Sequence, residues 1–360
     1  MLKNLDKLID KFAEYNIPSI DIRVLHNGKE IYRRMEGYSD KEKKTPINGN
    51  EKYNVYSCSK PITVTAAMKL FENGKFELDD NISKYLPEFS NMSVSENGVV
   101  RAAKREITVR DLFTMSAGLT YNLNSENINR GKSETNGRCQ TREMMKYLAK
   151  DPLAFDPGEK YNYSLCHDVL AAMVEEISGE RFGEFVKKNI FEPLGMNDST
   201  FLPNDEEISS LAEQYSFDQE KKVFNPISKK NGFRFGTEYE SGGAGCVTTV
   251  DDYLKFLEGL RTGKLLKFET IALMSTNQLD EKRLANYGMG HGYGYGLGLR
   301  CELNNSGSSD FGWGGAAGSF LACDIKHSFS VFHAQHVLGS PNQHLRILIP
   351  EAIRKDLENL

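Results

Sequence analysis

Ser57 and Lys60 stand three residues apart in the run Val55-Tyr56-Ser57-Cys58-Ser59-Lys60-Pro61, directly ahead of an apolar-patterned stretch at 62–71. Residues i and i+3 share one face of a helix, so the amine reaches the hydroxyl. A serine hydroxyl is a poor nucleophile at neutral pH. A lysine that has lost its proton, as burial and the positive end of a helix both favour, would activate it for attack on an acyl carbon. The bland alternative is that Ser57 only caps the helix: Pro61 falls in or just past the first turn and Gly74 marks the C-terminal end. Ser-x-x-Lys is common by chance, so the chemistry needs partners elsewhere in the chain.

The elements that must position this pair follow from periodicity. Leu2, Leu5, Leu8, Ile9 and Phe12 predict an amphipathic helix over 3–15. Ile20, Ile22 and Val24 alternate with charged residues, Asn27-Gly28 makes a tight turn, and 30–36 returns as the second strand of a hairpin. From Lys60 to about Gly290 the pattern is mainly helical, with helices starting at Thr108 and spanning 141–150, 164–178, 180–190 and 251–261. The Gly- and Ser-bearing segment 131–140 reads as a surface linker. Alternation returns at 295–301, 319–324 and 329–335, and 344–360 reads as a closing helix. The fold class expected is α+β: an antiparallel sheet built from 1–59 and 290–360 with terminal helices on a face, an inserted all-helical lobe at 60–289, and the site in the cleft between.

Composition narrows the function. The chain has 360 residues, 39% hydrophobic and 26% charged, with a net charge of −5, which describes a globular protein without an electrostatic footprint for nucleic acid or an anionic membrane. Charges interrupt every apolar run in the first ten residues and no stretch is long enough to span a bilayer, so a cytoplasmic location is expected. Six cysteines (58, 139, 166, 246, 301 and 323) lack metal or redox spacing and read as free thiols. Cys58 adjoins Ser57, so a bulky thiol reagent is expected to block the site. Of seven histidines (26, 167, 291, 327, 333, 336 and 344), His333 and His336 point to opposite faces of a strand, and His167 reads as a helix-surface imidazole. Asp79-Asp80 and Asp251-Asp252 read as solvated turn and cap residues. No metal or organic cofactor is implied, and nothing fixes the oligomeric state.

Two further stretches look like parts of a site. Residues 157–165 form a turn that delivers Tyr163 ahead of a helix, although a tyrosine there is more often core than catalyst. Phe311-Gly312-Trp313-Gly314-Gly315-Ala316-Ala317-Gly318 is rich enough in glycine for close backbone approach to a ligand. It also fits a loose dinucleotide fingerprint but precedes a strand instead of opening a helix, which rejects that reading.

Ser57-x-x-Lys60, Tyr163-Ser164-Leu165 and Trp313-Gly314-Gly315, in that order, resemble the three motifs of the serine β-lactamase and penicillin-binding-protein superfamily, and within its class C-like branch the family VIII carboxylesterases. The likeness runs from about residue 18 to 336. It implies Ser57 as acylated nucleophile, Lys60 and Tyr163 as the proton-transfer pair, backbone amides of Ser57 and Ala316 as oxyanion hole, and Trp313, Gly314, Gly315 and Leu165 as substrate-binding positions. Which of Lys60 and Tyr163 is the base at each step stays open. Two departures from the lactamase pattern stand out. Leu165 replaces an amide-bearing Asn, and Trp313 replaces a Lys that would hold a substrate carboxylate. The expectation is therefore hydrolysis of small neutral esters, with Trp313 and Leu165 shaping an apolar pocket. The alternatives are acyl transfer to an alcohol, weak β-lactamase or D-amino-acid amide or peptide hydrolysis, and a catalytically silent ligand sensor.

Overall fold

The computed structural model of the chain describes residues 2–290 and 292–359; Met1, His291 and Leu360 lie outside the described residues. The leucine and isoleucine stripe forms helix α1 (Lys3–Ala13), with Leu5, Leu8, Ile9 and Phe12 buried. Strands β1 (Ser19–His26) and β2 (Lys29–Asp40) make the hairpin that Asn27-Gly28 closes, both turn residues lying at positive φ. A short β3 (Thr45–Pro46) follows. Near the other end come β4 (Tyr293–Tyr295), β5 (Arg300–Glu302), β6 (Phe311–Gly314), β7 (Phe320–Asp324) and β8 (Phe329–Ala334). They join in one eight-stranded sheet ordered β4-β5-β6-β7-β8-β1-β2-β3, in which all the pairings are antiparallel. The α+β class expected from the sequence is the one observed.

Pairing of β1 with β8, Asp21 opposite Ala334, stitches the two ends of the chain together. Alternation decides the faces. Ile20, Ile22, Val24, Val331 and Phe329 pack with α1 and the last helix, α8 (Ile349–Leu357), while Phe332 and Ala334 turn to the other core. The Asp356 carboxylate of α8 accepts from the Asn4 and Leu5 amides at 2.9 and 3.0 Å. That satisfies donors α1 would otherwise leave open and sets negative charge at its positive end.

The larger core lies under helices α2 (Ser59–Glu72), α3 (Val109–Phe113), α4 (Glu126–Glu134), α5 (Thr141–Leu148), α6 (Cys166–Ser178) and α7 (Val250–Arg261). α7 packs on the sheet, where Tyr253 stacks on Phe332 with centroids 4.3 Å apart. Two hairpins interrupt the helical middle: Ser93–Glu96 with Val99–Ala102, and Gln214–Asp218 with Val223–Ile227, the second also paired to Val337–Leu338.

Several local expectations are corrected. Segment 131–140 is not all linker, because α4 runs to Glu134 and buries Gly131 against the Tyr147 ring. The alternating run 295–301 is not one strand. It turns at Gly298 (φ +76°), so that Tyr295 faces Arg300 across a hairpin. Asp252 is no solvated cap: it is buried, and its carboxylate accepts from the Asp198 amide and the Ser199 hydroxyl. His167 is fully buried in α6, where burial and then the charge of Lys60 hold its imidazole well below the ordinary value. His333 and His336 are both buried, and His336 accepts from the Asn54 amide at 3.2 Å.

Candidate active site

Ser57 stands in a single 3₁₀ turn, Tyr56–Cys58, that feeds α2 at Ser59, and its side chain caps nothing. The residue before it, Tyr56, has φ +47°, a conformation that costs a bulky side chain energy and lifts the next residue out of the chain path. Three bonds pin this turn. The Tyr253 hydroxyl donates to the Cys58 carbonyl (2.5 Å), the Cys246 amide donates to Ser59 Oγ (2.9 Å), and Thr63 Oγ1 donates to the Gly242 carbonyl (2.6 Å). α2 is buried nearly all round, so Lys60 points into the protein with no exposed surface, whereas Ser57 stays half-buried.

Lys60 Nζ donates to three oxygens: Ser57 Oγ at 3.2 Å, the Tyr121 hydroxyl at 2.9 Å and the Gly243 carbonyl at 2.7 Å. Two of these hold whatever the protonation of Ser57, which leaves the third direction of the amine facing Oγ. The Tyr163 ring lies against the same nitrogen, 4.5 Å from centroid to Nζ. Its hydroxyl accepts from Trp313 Nε1 at 3.0 Å, and the two rings stack at 5.6 Å. The structure therefore brings Ser57, Lys60, Tyr163 and Trp313 together across 256 residues of sequence. The phenol that meets the amine by its oxygen, however, is Tyr121, for which the sequence offers no motif. Burial, then the neighbouring Tyr163 and Asp168, push the Tyr121 phenol well above its ordinary value, so it stays protonated.

β6 ends in a turn that carries Ala316. The Gly318 amide donates to the Gly315 carbonyl, and Gly318 has φ +92°. A Cβ on Gly315 would stand 2.2 Å from Ser319 Oγ and 2.4 Å from the Val55 carbonyl, so only glycine lets this turn press against the segment that leads to Ser57. From outside, Arg346 Nη1 donates to the Gly315 carbonyl (2.7 Å) and Gln343 Nε2 to that of Ala316 (3.1 Å). With its carbonyls held, the turn has a fixed amide direction. Beside it, Tyr56, Ala244 and Ala317 form a small apolar cluster with the partly exposed Phe233, Ala316 and Leu338.

Two expected pocket residues are deeper than supposed. Leu165 is 1% exposed, immediately ahead of α6, and Trp313 is 7% exposed and grips Tyr163. Cys58 is fully buried, and burial pushes its thiol up to about 12, so the expected block by a thiol reagent has no route to the sulfur. All six cysteines are free and buried. Among the described residues no His, Cys, Asp and Glu cluster could hold a metal ion, and no helix is long and apolar enough to cross a membrane.

Comparison with known proteins gives the family of this fold. The Beta-lactamase family profile matches residues 5–344, and the chain belongs to that family. Protein Rv1367c of Mycobacterium tuberculosis is 28% identical over 357 residues, covering 89% of each chain. Esterase EstB of Burkholderia gladioli is 28% identical over 274 residues, 69% of this chain and 67% of its own. Among solved structures, EstCE1, described as a hydrolase with promiscuous acyltransferase activity, superposes with a TM-score of 0.79 at 27% identity over 98% of this chain and 99% of its own. LovD, a simvastatin synthase from Aspergillus terreus, shares the fold at a TM-score of 0.81 and 23% identity, over 97% and 96% of the two chains.

Proposed function

We propose that this protein hydrolyses small esters through an acyl-Ser57 intermediate. The observation that carries the reading is the buried amine of Lys60, held by Gly243 and Tyr121 with its remaining direction on Ser57 Oγ at 3.2 Å. As Oγ bonds to the ester carbonyl carbon, its proton passes to Lys60 and the carbonyl electron pair becomes an oxyanion beside the Ser57 and Ala316 amides. Collapse breaks the bond to the alcohol oxygen, which leaves with a proton. Tyr163 suits that delivery, since accepting from Trp313 leaves its own O–H to donate. Water then repeats the steps in reverse and releases the acid.

The apolar cluster at Phe233, Ala316 and Leu338 suits a short aliphatic acyl group. The likeness to EstB, an esterase, and to EstCE1 supports ester chemistry over amide chemistry. The words describing EstCE1 favour a second reading, transfer of the same acyl group to an alcohol. Six free thiols suit a reducing compartment, and we place the protein in the cytoplasm.

The test is a panel of p-nitrophenyl acetate and butyrate, nitrocefin and D-alanyl amides, run on the unmodified chain and on Ser57→Ala, with fluorophosphonate labelling alongside. The expected result is stoichiometric labelling of Ser57 and turnover of the short esters, both lost in the variant. Nitrocefin as best substrate would overturn the ester preference, and absence of labelling would leave a ligand sensor. Labelling by ester with release only on adding alcohol would select the transferase.

A further inference from the structure

Asp168 sits on α6, five residues after Tyr163, with 1% of its surface exposed. Its Oδ1 accepts from the Ser241 hydroxyl at 2.7 Å and from the Tyr239 hydroxyl at 3.0 Å. Its Oδ2 has no side-chain partner and faces Gly243, where a Cβ would stand 2.5 Å away. No lysine or arginine among the described residues pairs with this carboxylate at ion-pair distance. The cation whose charge reaches it is Lys60. A fully buried carboxylate is expensive unless a charge nearby repays it, so its place here asks for an explanation.

The loop it holds supplies one. Ser241 Oγ also accepts from the Ala244 amide at 3.1 Å, so one hydroxyl ties the turn 241–244 to Asp168. That turn offers the Gly242 carbonyl to Thr63 and the Gly243 carbonyl to Lys60, both on α2. Asp168 thus stands behind the oxygen that aims the amine. We propose that Asp168 is a positioning residue of the catalytic centre, which fixes Lys60 through the Gly243 carbonyl and whose negative charge stabilises the ammonium that Lys60 becomes when Ser57 attacks. This rests on the acyl-serine reading above. The step is the one already written: the Ser57 proton moves to Lys60 as the Oγ–carbon bond forms, and Asp168 neither gains nor loses a proton.

The groups facing Asp168 are few. Lys60 comes from α2, Tyr121 from the loop before α4, Tyr239, Ser241 and the Gly243 backbone from the glycine loop, and His167 is its chain neighbour. Burial pushes the carboxyl up, and the Ser241 bond, Lys60 and the Tyr239 bond pull it back. His167, held neutral by burial, adds no charge near pH 7.

The experiment is Asp168→Asn, which keeps an acceptor for Ser241 and Tyr239 and removes the charge. Fluorophosphonate labelling rate, kcat and KM for p-nitrophenyl acetate, and the pH profile of kcat/KM are measured on both proteins. The expected result is a folded variant whose Ser57 labels more slowly. On the plateau above the acid limb its kcat falls at least about tenfold with KM little changed. The acid limb of its profile moves to lower pH, because without the carboxylate the ammonium gives up its proton more readily.

A carboxylate that only braces the fold would lower the melting temperature and leave that limb in place, which would overturn the inference. If the Asn variant does not fold, Tyr239→Phe carries the test by deleting one hydroxyl. Slower labelling and lower kcat support the proposal, and unchanged values sink it. If the unmodified protein itself fails to label, the acyl-serine reading falls and takes this inference with it, whereas labelling with an unmoved limb removes the inference alone.

Discussion

Lys60 makes three hydrogen bonds from one buried nitrogen, and in the proposed mechanism two go to partners that do not react. Tyr121 is one of these, so on that reading its phenol holds the amine in line, while Tyr163, anchored by Trp313, would keep a proton to deliver. The division of labour is testable by removing one oxygen at a time. Tyr163→Phe should lower kcat on p-nitrophenyl acetate by roughly 10²-fold, within the usual range for loss of a general acid. Tyr121→Phe should cost roughly tenfold in kcat with KM unchanged, the smaller effect of a loosened base. Equal losses in steady-state assays would show that both phenols move protons. Ser57, Lys60 and Tyr163 were legible as candidates because their motifs are short and ordered along the chain. Tyr121 was not, because it reaches Lys60 from a loop 61 residues away in sequence, with no spacing rule to expose it.

Among the elements, the turn after β6 matters most to the proposed mechanism, because there a backbone amide would do the work and the surrounding glycines set where it points. Gly315→Ala forces a methyl group toward the Val55 carbonyl and Ser319 Oγ. The expected result is a loss of roughly 10²–10³ in kcat, the range for a displaced oxyanion donor. Stopped-flow acylation of the variant checks it, with circular dichroism to confirm that the sheet persists. This stretch was readable in the sequence as a close-approach backbone before a strand. Glycine misled elsewhere. Gly131 looked like a linker residue but lets α4 close on Tyr147, and Gly298 hid a turn inside a run that alternates like one strand. Both errors have one cause: a glycine chosen for a contact far away in sequence looks the same as one chosen for local freedom.

At the scale of the whole molecule, His336 joins three distant segments. Its Nε2 accepts from the Asn54 amide and its Nδ1 meets the Ala212 carbonyl, which fixes one neutral tautomer. Burial first among causes holds this imidazole down at about 4, below the ordinary 6.5. The unfolded chain therefore takes up a proton as pH falls below about 6.5 while the folded one waits until about 4. The stability His336 contributes is complete above that upper value and is lost on acidification through the window, with a slope of up to about 1.4 kcal/mol per pH unit. Asp21 and Glu175, raised by burial to about 6 and about 7, tilt the other way. The reading is therefore a difference: urea unfolding of His336→Gln should show a flatter decline than the unmodified protein between pH 6.5 and 4.5. Identical slopes would mean that the imidazole is protonated within the fold.

The pairing of β1 with β8 sets a schedule for biosynthesis. Ile20, Ile22 and Val24 leave the ribosome ahead of the helical segments, and β8, the neighbour that covers that strand edge, only after them. The nascent polypeptide therefore carries a half-matched ribbon until β8 emerges. Pairing between segments so far apart in sequence slows folding in general and leaves a hairpin edge open to other chains until its neighbour arrives.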